Sequence, residues 1–171
     1  PGLTSLATAP GRGWVPRRIR AVNRGRRVRA RWGSVPRVAG APSGSTRAMW
    51  LAILAGGGLG ACLRVAVALA VDARAGSPFP WGLFAVNTLG CFAIGLFATL
   101  ADEHGWLGPT LRAFVVAGVL GGFTTFSSFG LDTLRLARDG RAALAAANAV
   151  GSVAFAVVGV AAGMALARTL G

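Results

Sequence analysis

At 171 residues, with 54% of them apolar and 13% charged, the chain is too hydrophobic for an ordinary soluble domain of its length. All 18 basic residues are arginine and eleven of them precede Met49, so the net charge of +13 divides into +11 for residues 1–48 and +2 for the remainder, which holds all five acids. Cys62 and Cys91 lie in apolar runs without metal-ligand spacing, which excludes a disulfide framework and leaves them as small apolar side chains.

Residues 1–48 are rich in Arg, Gly, Pro and Ser, as in "RRIRAVNRGRRVRARWG", and carry neither helical nor strand periodicity. The composition predicts a disordered extension. Three readings fit it: translated upstream sequence, a basic arm for RNA or anionic lipid, and a transit-type peptide. The first is preferred, because the first methionine is Met49 and the apolar pattern begins there.

From Met49 onward four apolar runs follow, at 49–71, 81–101, 111–134 and 142–167, each long enough for the ~20 residues that cross a hydrocarbon core. The expected architecture is an all-α integral membrane unit of four short transmembrane helices, residues 49–171, with the third helix broken. The connectors "DARAGSPFP", "DEHGWLGPT" and "RLARDGR" are short and polar. No segment outside the spans is large enough for an enzyme domain, so no catalysis is expected.

The first span, "GGGLGACLR", places Gly56 and Gly60 at a spacing that lets helices approach closely, and Gly118/Gly122 and Gly159/Gly163 repeat it. Its Arg64 is either an arginine reaching for the interface or a fixed charge that draws anions into a vestibule. The second span carries Asn87, whose amide could bond a neighbouring helix or donate to an anion stripped of water.

The third span contains "GVLGGFTTFSSFGLD". Gly121 and Gly122 weaken a helix there, and irregular backbone at membrane depth is tolerated only where protein or water covers it. Freed carbonyls could bind a cation, and freed N–H groups with the hydroxyls of Thr124, Thr125, Ser127 and Ser128 could meet an anion. Phe123, Phe126 and Phe129 would form one drifting stripe on a continuous helix, either as packing or with positive ring edges turned to an anion. In the fourth span Asn148 and Ser152 share a face.

Arg112 and Arg168 lie at one end of the spans and Arg74, Arg135, Arg138 and Arg141 at the other, a weak bias that allows insertion in either orientation. Eleven arginines in the extension, if retained, would pin the N-terminal end in the cytoplasm. Four thin spans enclose little interior, so a deep site is more easily built between two copies.

The motifs "GGGLGACLR", "GLFAVNTLGCF" and "GGFTTFSSF", in this order in the first three spans, resemble the Fluc or CrcB-type fluoride ion channels. The resemblance covers Met49 to about Gly171. It implies an antiparallel, dual-topology dimer in a bacterial plasma membrane, two fluoride pores along the interface and a structural Na+ at the dimer centre.

By the same resemblance the pore residues are Asn87, Phe126, Phe129, Ser127, Ser152 and Arg64, and backbone carbonyls of Gly121 and Thr124 hold the sodium. Leu83 and Val65 depart from the family pattern, which often has Thr and Tyr there. Some members pair with an oppositely oriented paralogue, so the partner is either a second copy or such a paralogue, and nucleic acid is not expected.

The implied function is passive export of cytoplasmic fluoride and protection against its toxicity. Two other classes compete. A small four-helix multidrug or metabolite transporter would need a membrane-embedded carboxylate, and no Asp or Glu lies in the middle of a span. A membrane-anchored nucleic-acid-binding protein would place its function in residues 1–48, with steep salt dependence.

Overall fold

The computed structural model describes residues 43–171, and the expectation of disorder for residues 1–42 lies outside them. Helix α1 spans Ser43–Ala75. It thus begins six residues before the expected boundary at Met49. The residues Ser43 to Ala48 lack apolar periodicity but contain no proline, so nothing in them interrupts a helix continuous with the apolar span.

Helix α2 spans Trp81–Asp102 and is capped from outside: Asp72 Oδ1, near the end of α1, accepts from the Gly82 N–H at 2.7 Å. That bond satisfies one of the free donors of the first turn and sets the α1–α2 turn. The third span comprises α3 (Pro109–Arg112), a π-helical stretch Ala113–Leu120, α4 (Gly121–Phe123) and α5 (Phe126–Arg138). Helix α6 spans Ala142–Thr169. The described residues form four helical stretches apolar and long enough to cross a membrane: Thr46–Ala75, Trp81–Asp102, Pro109–Arg138 and Ala142–Leu170.

The most extensive packing is between α2 and α6, while α1 lies along the first half of the third span and α5 against α6. Glycines set the closest approaches. A Cβ at Gly60 would strike the Val119 carbonyl, and one at Gly163 would strike that of Phe92. The small-residue steps foreseen in three spans are therefore helix crossings. The interior is thin: Val86 and Asn148 are the largest side chains fully enclosed.

The third helix is broken, but not at its glycines. Gly121 keeps helical angles (φ −63°, ψ −38°), whereas Thr124 (φ −82°, ψ 154°) and Thr125 (φ −151°, ψ 127°) are extended. β-Branched threonines suit extended backbone. Gly122 serves close approach instead, with its Cα side against the Gly57 backbone. The break also divides the expected phenylalanine stripe: Phe123 ends α4 and packs toward Gly90, while Phe126 and Phe129 belong to α5.

Candidate ion-conduction site

The break is built from side chains that replace helical hydrogen bonds. Asn87 Oδ1 accepts from the Thr125 N–H at 2.9 Å, and Asn87 Nδ2 donates to the Thr125 carbonyl at 3.1 Å. Thr125 Oγ1 caps α5, accepting from the Ser128 N–H at 3.4 Å, and lies 3.1 Å from Ser127 Oγ. Thr124 Oγ1 turns back to the Leu120 carbonyl at 3.1 Å.

Two carbonyls are released by this rearrangement. In a continuous helix the Thr125 N–H would meet the Gly121 carbonyl and the Ser128 N–H that of Thr124; here they go to Asn87 and to the Thr125 hydroxyl. Gly121 is exposed. The described residues contain no group of three or more His, Cys, Asp or Glu arranged to hold a metal, so a cation at this place would be held on neutral, hard carbonyl oxygens. That donor type fits Na+.

Beyond the break, the N–H groups of Phe126 and Ser127 open α5 with no partner available inside the helix. The positive end of the helix dipole therefore faces a lateral cavity of about 240 Å3. Its walls include Asn87, Thr124, Phe126, Phe129 and Ser152, together with Cys91. Phe126 and Phe129 stand side by side, centroids 5.2 Å apart with planes tilted by 39°, and Phe126 is 80% exposed. A wall of apolar rings with a few donors can accept a small anion without binding it tightly.

Past Phe129 the cavity narrows to a crevice shared by Leu83, Asn87, Phe129, Asp132, Asn148 and Ser152. A hydrogen-bonded file runs along it: Ser152 Oγ donates to Asn148 Oδ1 (3.3 Å), Asn148 Nδ2 to Thr133 Oγ1 (2.8 Å), and Thr133 Oγ1 to the Phe129 carbonyl (2.8 Å). Leu83 leaves one wall of this crevice apolar. The crevice meets, at Pro80 and Asp132, a polar cleft of about 360 Å3 whose walls include Asp72, Arg135, Asp139 and Arg141.

The sequence-expected residues are thus only partly gathered. Asn87, Phe126, Phe129, Ser152 and Thr124 share the cavity; Ser127 is exposed and hydrogen-bonded beside it; Arg64, half-buried on α1, is not on its wall and has no ion pair among the described residues. By its apolar run the third span ends at residue 134, two residues past Asp132. The span runs to Arg138, because Arg135 and Arg138 extend the helix into the interface, so Asp132 lies nearly two turns inside, its side chain 23% exposed and 3.5 Å from Arg135. Its place one further step of three beyond Phe126 and Phe129 was the available signal.

At the opposite end the arginines are tied down. Arg112 bonds Asp102 through both Nε (3.0 Å) and Nη2 (3.2 Å), and Arg168 bonds Glu103 at 2.8 Å. The Arg168 hydrogen bond holds the Glu103 carboxyl below the usual carboxylate range, with the Arg168 and His104 charges adding to it.

Comparison with known proteins gives the family. The family described as CrcB-like protein, Camphor Resistance (CrcB), matches residues 51–164. A protein of Opitutus terrae named fluoride-specific ion channel FluC is 49% identical over 114 residues, 66% of this chain and 86% of its own length. Fluoride-specific ion channel FluC 2 of Nitrobacter hamburgensis is 46% identical over 121 residues, covering 71% of this chain and 98% of its own. The FluC of Rhodospirillum centenum is 47% identical over 122 residues, covering 71% and 96%. The matched region holds the second and third spans whole, most of the first and fourth, and every residue of the cavity, and the chain belongs to the CrcB family.

Proposed function

We propose that the protein is a fluoride-selective channel that passively exports fluoride from the cytoplasm of a bacterial cell. The observation that carries this is the cavity at the broken third span, where the Phe126 and Phe129 rings, the Ser152 hydroxyl and Asn87 meet at the N-terminal end of α5. Asn87 spends one Nδ2 hydrogen on Thr125 and keeps the other for an ion. Ring edges, that N–H and the hydroxyls replace the hydration shell of a small anion, and the narrowness of the crevice disfavours chloride.

Export needs no coupling. HF enters from acidic surroundings, dissociates in the more alkaline cytoplasm and is trapped as an anion. The negative-inside potential then drives that anion outward with about 2.3 kcal/mol per 100 mV. The carboxylate on the crevice, Asp132, is paired with Arg135, which suits a fixed charge better than a proton carrier.

The working unit is a dual-topology dimer, with a second copy or an oppositely oriented paralogue. The lateral opening of the cavity, the exposure of Phe126 and the thinness of the bundle all support a partner chain. The freed carbonyls of Gly121 and Thr124 would hold a structural Na+ at the centre of that dimer, where it would offset the repulsion between carbonyl dipoles.

The test is growth on fluoride of a bacterium lacking its own exporter, carrying residues 49–171, the 171-residue chain, or the short form with Phe126→Ile. Rescue by the short form that is lost in Phe126→Ile supports the reading. Equal growth of the variant and its parent overturns it. No rescue by either form, with expression in the membrane verified, is followed by co-expression with an oppositely oriented paralogue, and failure there overturns it too.

A further inference from the structure

A groove of about 570 Å3 lies between the last two turns of α1 and the first turns of α2, away from the ion-conduction cavity. Its walls are Val67, Ala70, Val71, Trp81 and Ala85, and Arg74 stands at its interfacial end. From Val67 to Arg74 the groove follows seven residues of helix, about 10 Å at 1.5 Å per residue. That length takes the upper part of one acyl chain.

The charges at the mouth favour a particular headgroup. Arg74 has no ion pair among the described residues; its Nη1 is held over the groove by a 2.6 Å bond to the Ala70 carbonyl. The nearby carboxylate of Asp72 is turned the other way, to the Gly82 N–H, and lines the polar cleft instead. Trp81, 43% exposed, stands beside Phe79 and Phe84 at centroid distances of 4.5 and 5.8 Å, an aromatic group of the kind that sits at headgroup level.

We propose that this groove is a binding site for an anionic diacyl phospholipid, its phosphate on the Arg74 guanidinium and one acyl chain between α1 and α2. Charge complementarity selects the headgroup, because the only charged side chain on the groove is cationic. The site is independent of ion conduction and does not depend on which ion the channel carries.

The test uses the full chain with Trp14, Trp32, Trp50 and Trp106 replaced by Phe, leaving Trp81 as the sole indole, reconstituted in vesicles containing brominated phosphatidylglycerol or brominated phosphatidylcholine. Quenching of Trp81 reports which lipid occupies the groove. The expected result is a preference for phosphatidylglycerol of about fivefold, the contribution of one arginine near an anionic surface, retained in Arg74→Lys and abolished in Arg74→Gln. Equal quenching by the two lipids overturns the proposal, and so does a preference that survives Arg74→Gln. Absence of quenching by either lipid also overturns it, since protein, such as a second copy, would then cover the groove.

Discussion

The Asn87 side chain is bonded to both main-chain groups of Thr125, 2.9 Å from the N–H and 3.1 Å from the carbonyl, as a neighbouring strand would be. A buried main-chain group left unpaired costs about 1–3 kcal/mol. Asn87→Ala therefore damages conduction and the break together. Fluoride efflux from vesicles should fall at least about tenfold, equivalent to about 1.4 kcal/mol in the barrier, and thermal stability should fall with it. A variant with normal efflux would remove Asn87 from the site.

Phe126 separates chemistry from folding better, because at 80% exposure it holds little of the single chain together. Phe126→Ile should reduce fluoride efflux at least about tenfold while leaving the melting temperature of the folded protein within a few degrees. Efflux equal to the parent would mean that the ring is a lipid- or partner-facing surface only.

Thr125 caps α5 through its hydroxyl, so Thr125→Val, which keeps the β-branch, and Thr125→Ser, which keeps the hydroxyl, divide its two roles. Loss of an N-cap costs about 1 kcal/mol. Thr125→Val should be destabilised by about that amount in thermal unfolding and Thr125→Ser hardly at all. The reverse order would assign the residue's importance to its extended-chain preference.

How much of this was legible in the residues differs from element to element. The four spans follow from hydropathy, since a bilayer allows few other solutions for long apolar runs. The existence of the break was legible in the crowding of Gly and hydroxyl residues between 121 and 128, but its position was not. Propensity points to Gly121 and Gly122, whereas the extended residues are Thr124 and Thr125, because the caps that stabilise the break come from Asn87 on another helix and from the Thr125 side chain. Ser152 is named for the pore by the family resemblance, while its helical spacing from Asn148 gives only that the two share a face. Thr133, which carries the link between Asn148 and the Phe129 carbonyl, has no distinguishing local pattern and was found only through the α5–α6 packing.

The Glu103–Arg168 pair ties the α2–α3 turn to the end of α6 and titrates in a defined direction. The folded protein holds the Glu103 carboxyl below its ordinary pKa through the Arg168 hydrogen bond. A depressed carboxylate contributes stability that is present above the unfolded pKa and lost as pH falls through the folded one. Glu103→Gln should therefore reduce stability at neutral pH, and the difference from the parent should vanish in acid below the usual carboxylate range. Because the pair is exposed the effect is small, and a difference that persisted in acid would assign it to packing instead.

Asp132 supplies the last prediction, and its sign follows from position. The carboxylate stands where the crevice opens into the polar cleft, within 3.5 Å of Arg135, so an anion leaving past Phe129 meets a negative group only partly offset by its partner. Neutralising it in Asp132→Asn should raise fluoride efflux at low ionic strength, and the gain should shrink near 1 M salt, where the Debye length is about 3 Å. A proton-coupled carrier that used Asp132 would behave oppositely, since removing that carboxylate would abolish transport at every salt concentration. Efflux from vesicles at two ionic strengths thus distinguishes a fixed charge beside a passive path from a proton carrier.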